Sequence, residues 1–381
     1  MGEGFNPFPP APEPASELGR YRVLSSTAGV RVSPLQLGGM SIGDAWSAFM
    51  GSLNKHDAFK LLDAYHELGG NFIDTANSYQ NEQSEQWIGE WMQSRGNRDL
   101  IFLATKYSFA AEGHKLGTGK TVTMTGNHKK SMHISLRQSL SKLQTDYVDL
   151  FYVHWWDHIT SIPEVMDSLD ALVQSGKVLY LGISDTPAWI VSACNEYAIA
   201  KGKSPLSVYQ GRWSIMARDF ERDIIPMARH YGMALAPWDV LGGGKFQSKK
   251  QIAARKNDPL RAVGHTGQTA QEEIISAALE KVANEHGVES PSVIALAYVL
   301  QKAPNVFPVV GGRKVEHLKA NIQALSIKLT DEQIQYLESV QDFDIGFPLS
   351  FIGQHPRFTG KAGTMVNANA QIKFPPPERG L

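Results

Sequence analysis

The sequence predicts an α/β protein of the parallel (β/α)8 TIM-barrel class, with an N-terminal hairpin and an irregular C-terminal tail over the barrel mouth. Three observations carry that prediction. Short apolar runs alternate with amphipathic helical stretches eight times in order. The chain has 381 residues, comfortable for one large barrel, and about two-fifths of it is apolar, enough to fill one. The glycine-rich turn after the first run, Gly38-Gly39-Met40-Ser41-Ile42-Gly43, lacks the G-x-G-x-x-G spacing with which an open doubly wound sheet places a phosphate.

The elements follow in order. Residues 1–18 form a proline-rich arm, with Pro7, Pro9, Pro10, Pro12 and Pro14 and no apolar core of a signal peptide. Tyr21–Leu24 and Val30–Val32 flank Ser25–Gly29 as a hairpin. The first barrel strand is Leu35–Leu37, and Asp57–Leu68 is a helix stopped by Gly69-Gly70. Strand Asn71–Ile73 precedes helix Ser84–Met92, and strand Leu100–Ala104 precedes a long polar loop, 107–127, and helix Lys130–Leu143. Strands Tyr147–Val153, Val178–Ile183 and Leu206–Tyr209 alternate with helices Ile162–Gln174, Ala188–Ala200 and Glu221–His230. Strand Met233–Ala236 leads into an irregular loop, 242–266, and two helices, Ala270–Glu285 and Ser292–Gln301. Strand Val306–Val310 and helix Val315–Ala324 complete the barrel domain, 19–340, which also holds a helix over Thr330–Val340. A tail, 341–381, is expected to shape or cover the pocket.

Composition excludes several classes. The formal net charge is -1, so no global basic field suits nucleic acid. No stretch is long and apolar enough to span a bilayer, so neither membrane nor nucleic acid is an expected partner, and a cytoplasmic protein is expected. The single cysteine, Cys194, reads as a buried structural thiol within a helix.

Barrels of this class carry their sites at the C-terminal strand ends. The second strand ends in Asp74, the third in Lys106 and the fourth in His154, with Tyr79 just beyond Asp74. A tyrosine hydroxyl, with an ordinary pKa of about 10, donates a proton more readily beside an ammonium. Lys106 can supply that ammonium, Asp74 can anchor it, and His154 can hydrogen-bond a substrate oxygen. Such a set polarises a carbonyl and protonates the developing alkoxide. It holds no electron source, so a hydride must come from a cofactor.

Placed after successive strands, Asp74, Tyr79, Lys106 and His154 resemble the catalytic tetrad of the aldo-keto reductases. The contexts Asn71-Phe72-Ile73-Asp74-Thr75-Ala76, Ala104-Thr105-Lys106 and Asp149-Leu150-Phe151-Tyr152-Val153-His154 extend the resemblance across roughly Gly19 to Val340. The stretches 38–46, His154-Trp155-Trp156-Asp157 and 182–189 are similar to the fungal aryl-alcohol dehydrogenase and norsolorinic acid reductase branch. The resemblance implies NADPH, and hydride transfer to an aldehyde or ketone or its reverse. Tyr79 would act as general acid and base, Lys106 and Asp74 would tune it, and His154 would orient the carbonyl.

It also implies a cofactor site. Gly39, Met40 and Ser41 match contacts near the nicotinamide ribose, and Ser184 and Gln210 the pair that holds the carboxamide. Asp185 stands where the family usually has Asn. Pro237, Trp238, Asp239, Val240, Gly242 and Lys245 match the loop along the pyrophosphate. Gly311, Gly312, Arg313 and Lys314 open the last barrel helix, where backbone N–H groups and cations suit a 2'-phosphate. His317 and Asn321 match adenine contacts, whereas Ala320 stands where the family often has Glu.

Trp46, Trp155 and Trp156 are the candidate substrate walls, beside Tyr79 and His154, for a flat aryl ring; one of the adjacent pair can equally be core. His154 and His158 have a metal-like spacing, but His154 ends a strand and no third ligand is evident, so no metal is expected. Gly242-Gly243-Gly244-Lys245 lacks the leading glycine and trailing hydroxyl of a nucleotide-hydrolase loop. The expected function is reduction of aryl aldehydes or ketones, or oxidation of aryl alcohols, by a monomer or weak homo-oligomer. The alternative is an NADPH-sensing barrel subunit that binds a partner protein, with the proline-rich arm as its docking segment.

Overall fold

The structure, a computed structural model, describes residues 8–50, 53–117, 119–254 and 267–380. The start of the expected arm, 1–7, and the loop stretch 255–266 lie outside the described residues.

Strands β1 (Arg22–Ser25) and β2 (Ala28–Val32) form an antiparallel hairpin. Its turn is tighter than the sequence predicts, with only Ser26 and Thr27 between the strands. Leu24, Ala28 and Val32 are fully buried against Phe72, Phe102 and Phe307, so the hairpin plugs the N-terminal end of the barrel. The arm ends in Leu18, which is also fully buried, and Ser16 Oγ donates to the Leu68 carbonyl at 2.6 Å.

Eight parallel strands follow: β3 (Gln36–Gly38), β4 (Phe72–Asp74), β5 (Phe102–Tyr107), β6 (Val148–Val153), β7 (Val178–Ser184), β8 (Leu206–Arg212), β9 (Ala234–Trp238) and β10 (Val309–Val310). They lie in the order β10-β3-β4-β5-β6-β7-β8-β9. The last gap closes below β10, where Leu235 and Val306 form a parallel bridge. Leu235 N donates to Asn305 O at 2.9 Å and Phe307 N to Leu235 O at 2.8 Å. The sheet is therefore a nearly closed barrel. Val306, expected inside the eighth strand, makes the closure rather than the ladder to β3.

The helices wrap the strands because their apolar stripes need cover. They are α1 (Lys55–Glu67), α2 (Gln83–Arg95), α3 (Lys129–Leu143), α4 (Ile162–Gln174), α5 (Ala188–Lys201), α6 (Ile224–His230), α7 (Ala270–Glu285), α8 (Pro291–Lys302), α9 (Val315–Ile322) and α10 (Asp331–Ser339). Side-chain caps set several starts: Asn54 for α1, Ser161 for α4, and capping boxes Thr269/Glu272 and Thr330/Gln333 for α7 and α10. The helix expected over Glu221–His230 is broken. A 3-10 turn spans Asp219–Glu221 and α6 begins at Ile224. Pro226 has no N–H to donate back along the chain, so it fits only the first helical turn.

The tail, expected to shape or cover the pocket, starts at the barrel rim and continues down the flank. It leaves the rim where Gln341 Nε2 donates to Met216 O at 3.2 Å, and Phe343 lies under the guanidinium groups of Arg218 and Arg222. It then runs down the flank: Phe358 packs under Arg229, Arg379 pairs with Asp331 at 2.7 Å, and Gly380 N donates to Gln301 O at the end of α8. Among the described residues that line the cleft at the strand ends, none belongs to the tail, although Met216, which Gln341 holds, is one of them.

Candidate active site

Strand alternation brings the site together. On β4, β5, β6 and β8, the residues Phe72, Phe102, Ala104, Leu150, Tyr152 and Val208 fill the barrel interior. Two residues further along lie Asp74, Lys106, His154 and Gln210, on the same inward face and at the C-terminal end. Gly182 makes this packing possible, since a Cβ there would lie 2.5 Å from the Tyr152 ring.

Lys106 is the centre of the cluster and is fully buried. Its ammonium donates to Asp74 Oδ2 at 2.6 Å, to the Thr75 carbonyl at 2.7 Å and to the Tyr79 hydroxyl at 3.4 Å. Gln210 Nε2 donates to the other Asp74 oxygen at 3.0 Å, so both carboxylate oxygens are held. The His154 ring meets the Tyr79 ring edge-on, 5.8 Å between centroids. All four residues expected at the barrel mouth thus converge.

Electrostatics refine the expected tuning. Burial is the largest influence on the Tyr79 hydroxyl and pushes its pKa up; the Lys106 ammonium pulls it down without overcoming burial. Burial also works against the charge on Lys106, but Asp74 and Tyr79 outweigh it and raise the ammonium pKa. His154 is held well below the usual imidazole range by burial and by Lys106, so its ring is neutral at neutral pH. The arrangement is a neutral phenol against a fixed ammonium, beside a neutral imidazole. It can hand a proton to an oxygen placed between Tyr79 and His154.

That oxygen would lie in a cleft of about 850 Å³ at the strand ends. Asp74, Tyr79, His154, Ser184, Asp185 and Gln210 form its floor, and Trp46 forms one wall, edge-on to Tyr79 at 6.3 Å. Phe109 forms another part of the wall, edge-on to His154 at 5.2 Å. Phe109, Met50, Asn81, His114 and Met216 line the cleft but were not among the residues expected from sequence. The tryptophan pair is corrected. Trp156 is 7% exposed and belongs to the apolar core, and Trp155 packs edge-on behind Phe109 without lining the cleft. The strand ends at Val153, so alternation no longer aims their side chains at the mouth.

The expected cofactor residues divide. Met40, Trp238, Asp239, Gly242, Lys245 and Gly311 line the cleft, and Lys245 pairs with Glu272 at 3.4 Å. Gly39 and Ser41 are buried beneath Met40, and Pro237 sits within β9. Val240 is 2% exposed and packs in the core, which leaves its backbone as the part that can face a ligand. Gly312, Arg313 and Lys314 continue from Gly311 to the start of α9, and His317 and Asn321 follow on that helix, Asn321 buried. Among the described residues, no group of three His, Cys, Asp or Glu is placed to hold a metal, and no helix is long and apolar enough to cross a membrane.

The sequence matches the Aldo/keto reductase family over residues 34–342, which takes in the whole barrel and its site. The chain belongs to the aldo/keto reductase family. It is 60% identical to an aldo-keto reductase of Aspergillus calidoustus, over 96% of this chain and 93% of that protein. It is 55% identical to an aryl-alcohol dehydrogenase of Pestalotiopsis microspora, over 91% and 88%. It is 51% identical to the aryl-alcohol dehydrogenase [NADP(+)] of Phanerodontia chrysosporium, over 92% and 93%.

The residues of this aldo/keto reductase fit a nicotinamide nucleotide on one observation above others. Ser184 Oγ is buried at the cleft wall without a well-aligned hydrogen bond, close enough to Asp185 to lower that carboxyl's pKa, and beside Gln210, whose amide nitrogen is taken by Asp74. A buried hydroxyl in that state calls for a ligand group such as a carboxamide. Asp185 follows it with a left-handed φ of 42°, and accepts from Trp238 Nε1 at 3.3 Å. Its carboxyl, open to the cleft, is raised to about 6, first by loss of water and against the pull of Trp238, Ser184 and Lys106. A carboxyl whose folded pKa is raised stabilises the fold below its unfolded pKa of about 4, and that contribution fades as pH rises through about 6. Because Asp185 is exposed at the cleft, where solvent screens its charge, Asp185→Asn is expected to melt only slightly higher than wild type at pH 8 and alongside it at pH 4. A melting gap that does not widen between those values would contradict the assignment.

Proposed function

We propose that this chain is an NADP(H)-dependent oxidoreductase that interconverts aryl aldehydes or ketones and the corresponding alcohols. The observation that carries the proposal is the Lys106–Tyr79 contact beside neutral His154, at the base of a cleft walled by Trp46 and Phe109. The relatives' names, aryl-alcohol dehydrogenase and NADP(+), point the same way.

When bound, the cofactor supplies hydride to the carbonyl carbon, or takes it from the alcohol in reverse. Tyr79 donates its hydroxyl proton to the carbonyl oxygen as negative charge develops there, and retrieves a proton in the oxidative direction. Lys106, held by Asp74 and the Thr75 carbonyl, stabilises the phenolate that Tyr79 becomes. His154 orients the oxygen through a neutral ring. Ser184 and Gln210 would hold the carboxamide, and Met40, Trp238, Asp239, Gly242 and Lys245 the nucleotide's middle. Gly311, Gly312, Arg313 and Lys314 would receive the 2'-phosphate, with His317 and Asn321 near the adenine. The reading carries with it a cytoplasmic protein acting on a small molecule as a monomer or weak homo-oligomer.

Cofactor choice tests the far end of this assignment. Replacing Arg313 and Lys314 together by alanine removes two charge-assisted contacts, so NADPH affinity is expected to fall about 10- to 100-fold. NADH affinity is expected to stay within about twofold, because NADH has no 2'-phosphate for those cations to read. Binding titrations that show equal weakening of both nucleotides would refute that role.

A further inference from the structure

Immediately after Tyr79, three residues with side chains stand in succession at left-handed φ: Gln80 at 51°, Asn81 at 52° and Glu82 at 79°. Such a run is sparsely populated by L residues and persists only where the surroundings hold it. Here each side chain holds a different part of the cleft. Gln80, fully buried, donates to the Met40 carbonyl at 2.9 Å and accepts from Trp46 N at 2.8 Å. Asn81 Oδ1 accepts from Trp46 Nε1 at 3.0 Å. Glu82 pairs with Lys115, with Lys142 at 3.3 Å and, when that ring is protonated, with His114 at 3.7 Å.

The loop carrying Trp46 is laced to the same turn along its length. Asp44 N and Ala45 N donate to Gln83 Oε1 at 2.9 and 3.0 Å. Gly43 has φ 141° and passes so close that a Cβ there would lie 2.4 Å from the Gln80 Cβ. The wall of the cleft thus hangs on the turn that ends the segment bearing Tyr79.

We infer that the Gln80–Glu82 turn is a positioning device that sets Tyr79 and the aromatic wall as one unit, and that Asn81 is its specificity-determining member because it fixes the Trp46 indole. This rests on the reading of Tyr79 as the proton donor. Asn81 acts through Trp46: the indole stands edge-on to the Tyr79 ring and faces the space an aryl substrate would fill. Freed from Asn81, the indole can turn into that space or away from it.

Asn81→Gly keeps the left-handed backbone and deletes only the side chain, and Asn81→Asp keeps the acceptor. In Asn81→Gly, KM for an aryl aldehyde is expected to rise about tenfold with a smaller change in kcat, as loss of one hydrogen bond allows. Asn81→Asp is expected to restore KM to within about twofold. Trp46→Phe should raise KM by itself, and Asn81→Gly should add little in that background. Independent, additive effects, or an equal fall in kcat and kcat/KM without rescue by Asn81→Asp, would overturn the inference. A readout free of turnover is indole N–H exchange by NMR, with the Trp46 signal assigned by its loss in Trp46→Phe. Slow exchange in wild type and Asn81→Asp, and exchange about tenfold faster in Asn81→Gly, are expected from the hydrogen bond. Fast exchange in wild type would overturn the inference. Tyr79→Phe, run alongside, separates the two readings, since retained turnover there sinks the proton donor while leaving the indole result standing.

Discussion

Tyr79→Phe is expected to fold, to bind NADPH with wild-type affinity and to lose about 10²- to 10⁴-fold in turnover, the usual span for one general acid. The substitution removes one oxygen. Lys106 keeps its two shorter contacts, to Asp74 Oδ2 at 2.6 Å and Thr75 O at 2.7 Å, so the charge cluster survives. The ring also keeps its edge contacts with Trp46 and His154. What disappears is the hydroxyl proton beside the ammonium. Single-turnover measurement of NADPH oxidation with saturating aldehyde separates this from slow product release. A variant with more than about a tenth of wild-type rate would remove Tyr79 from the donor role.

Lys106→Met is expected to have the larger structural effect. Both members of the Lys106–Asp74 pair are nearly inaccessible, with side chains 0% and 3% exposed. Removing the ammonium leaves a carboxylate in the barrel with Gln210 as its one remaining side-chain donor among the described residues. Breaking one side of such a buried pair costs about 3–5 kcal/mol. Turnover should also fall by at least the amount seen for Tyr79→Phe, because the phenolate loses its counter-charge. Asp74→Asn in the Lys106→Met background neutralises the stranded charge and is expected to recover about half of the lost stability and none of the turnover. Denaturant unfolding of the single and double variants checks this; equal stability of the two would mean that the carboxylate is not stranded.

Much of this site is legible in the sequence because strand alternation is a strong local code. Asp74, Lys106 and His154 each end an apolar run, and the barrel turns that position into a shared inward face. Ser184 and Gln210 follow the same rule on β7 and β8. The code fails once the strand ends. Trp155 and Trp156 come after Val153, where nothing in the spacing says which way a side chain turns, and the core took one of them. Phe109 illustrates the converse. It lies in a long polar loop, 107–127, just past the left-handed Ser108, and only the folded chain brings it against His154. An aromatic three residues beyond a strand-terminal lysine was the signal available for it.

The course of the tail is hard to read for a related reason. Its prolines and glycines mark it as irregular, but its course is set by partners far away in sequence, Arg218, Arg222 and Arg229 on the flank. The expected lowering of the Tyr79 pKa shows a limit of another kind. Sequence reveals the ammonium but not the depth of burial, and burial proved the stronger influence. The left-handed run Gln80–Glu82 contains no glycine, and Asn81, its one residue type that favours this region, does not by itself mark a three-residue turn.

The central claim is that the Tyr79–Lys106–His154 cluster reduces a carbonyl with hydride from NADPH. It is tested most directly by following NADPH absorbance with purified protein over benzaldehydes, fused-ring ketones and short aliphatic aldehydes, with the alcohol product quantified. The account predicts one alcohol formed for each NADPH consumed, with aryl carbonyls preferred. Tight NADPH binding without consumption on any of these carbonyls would contradict it, and would leave the barrel as a nucleotide-binding subunit rather than a reductase.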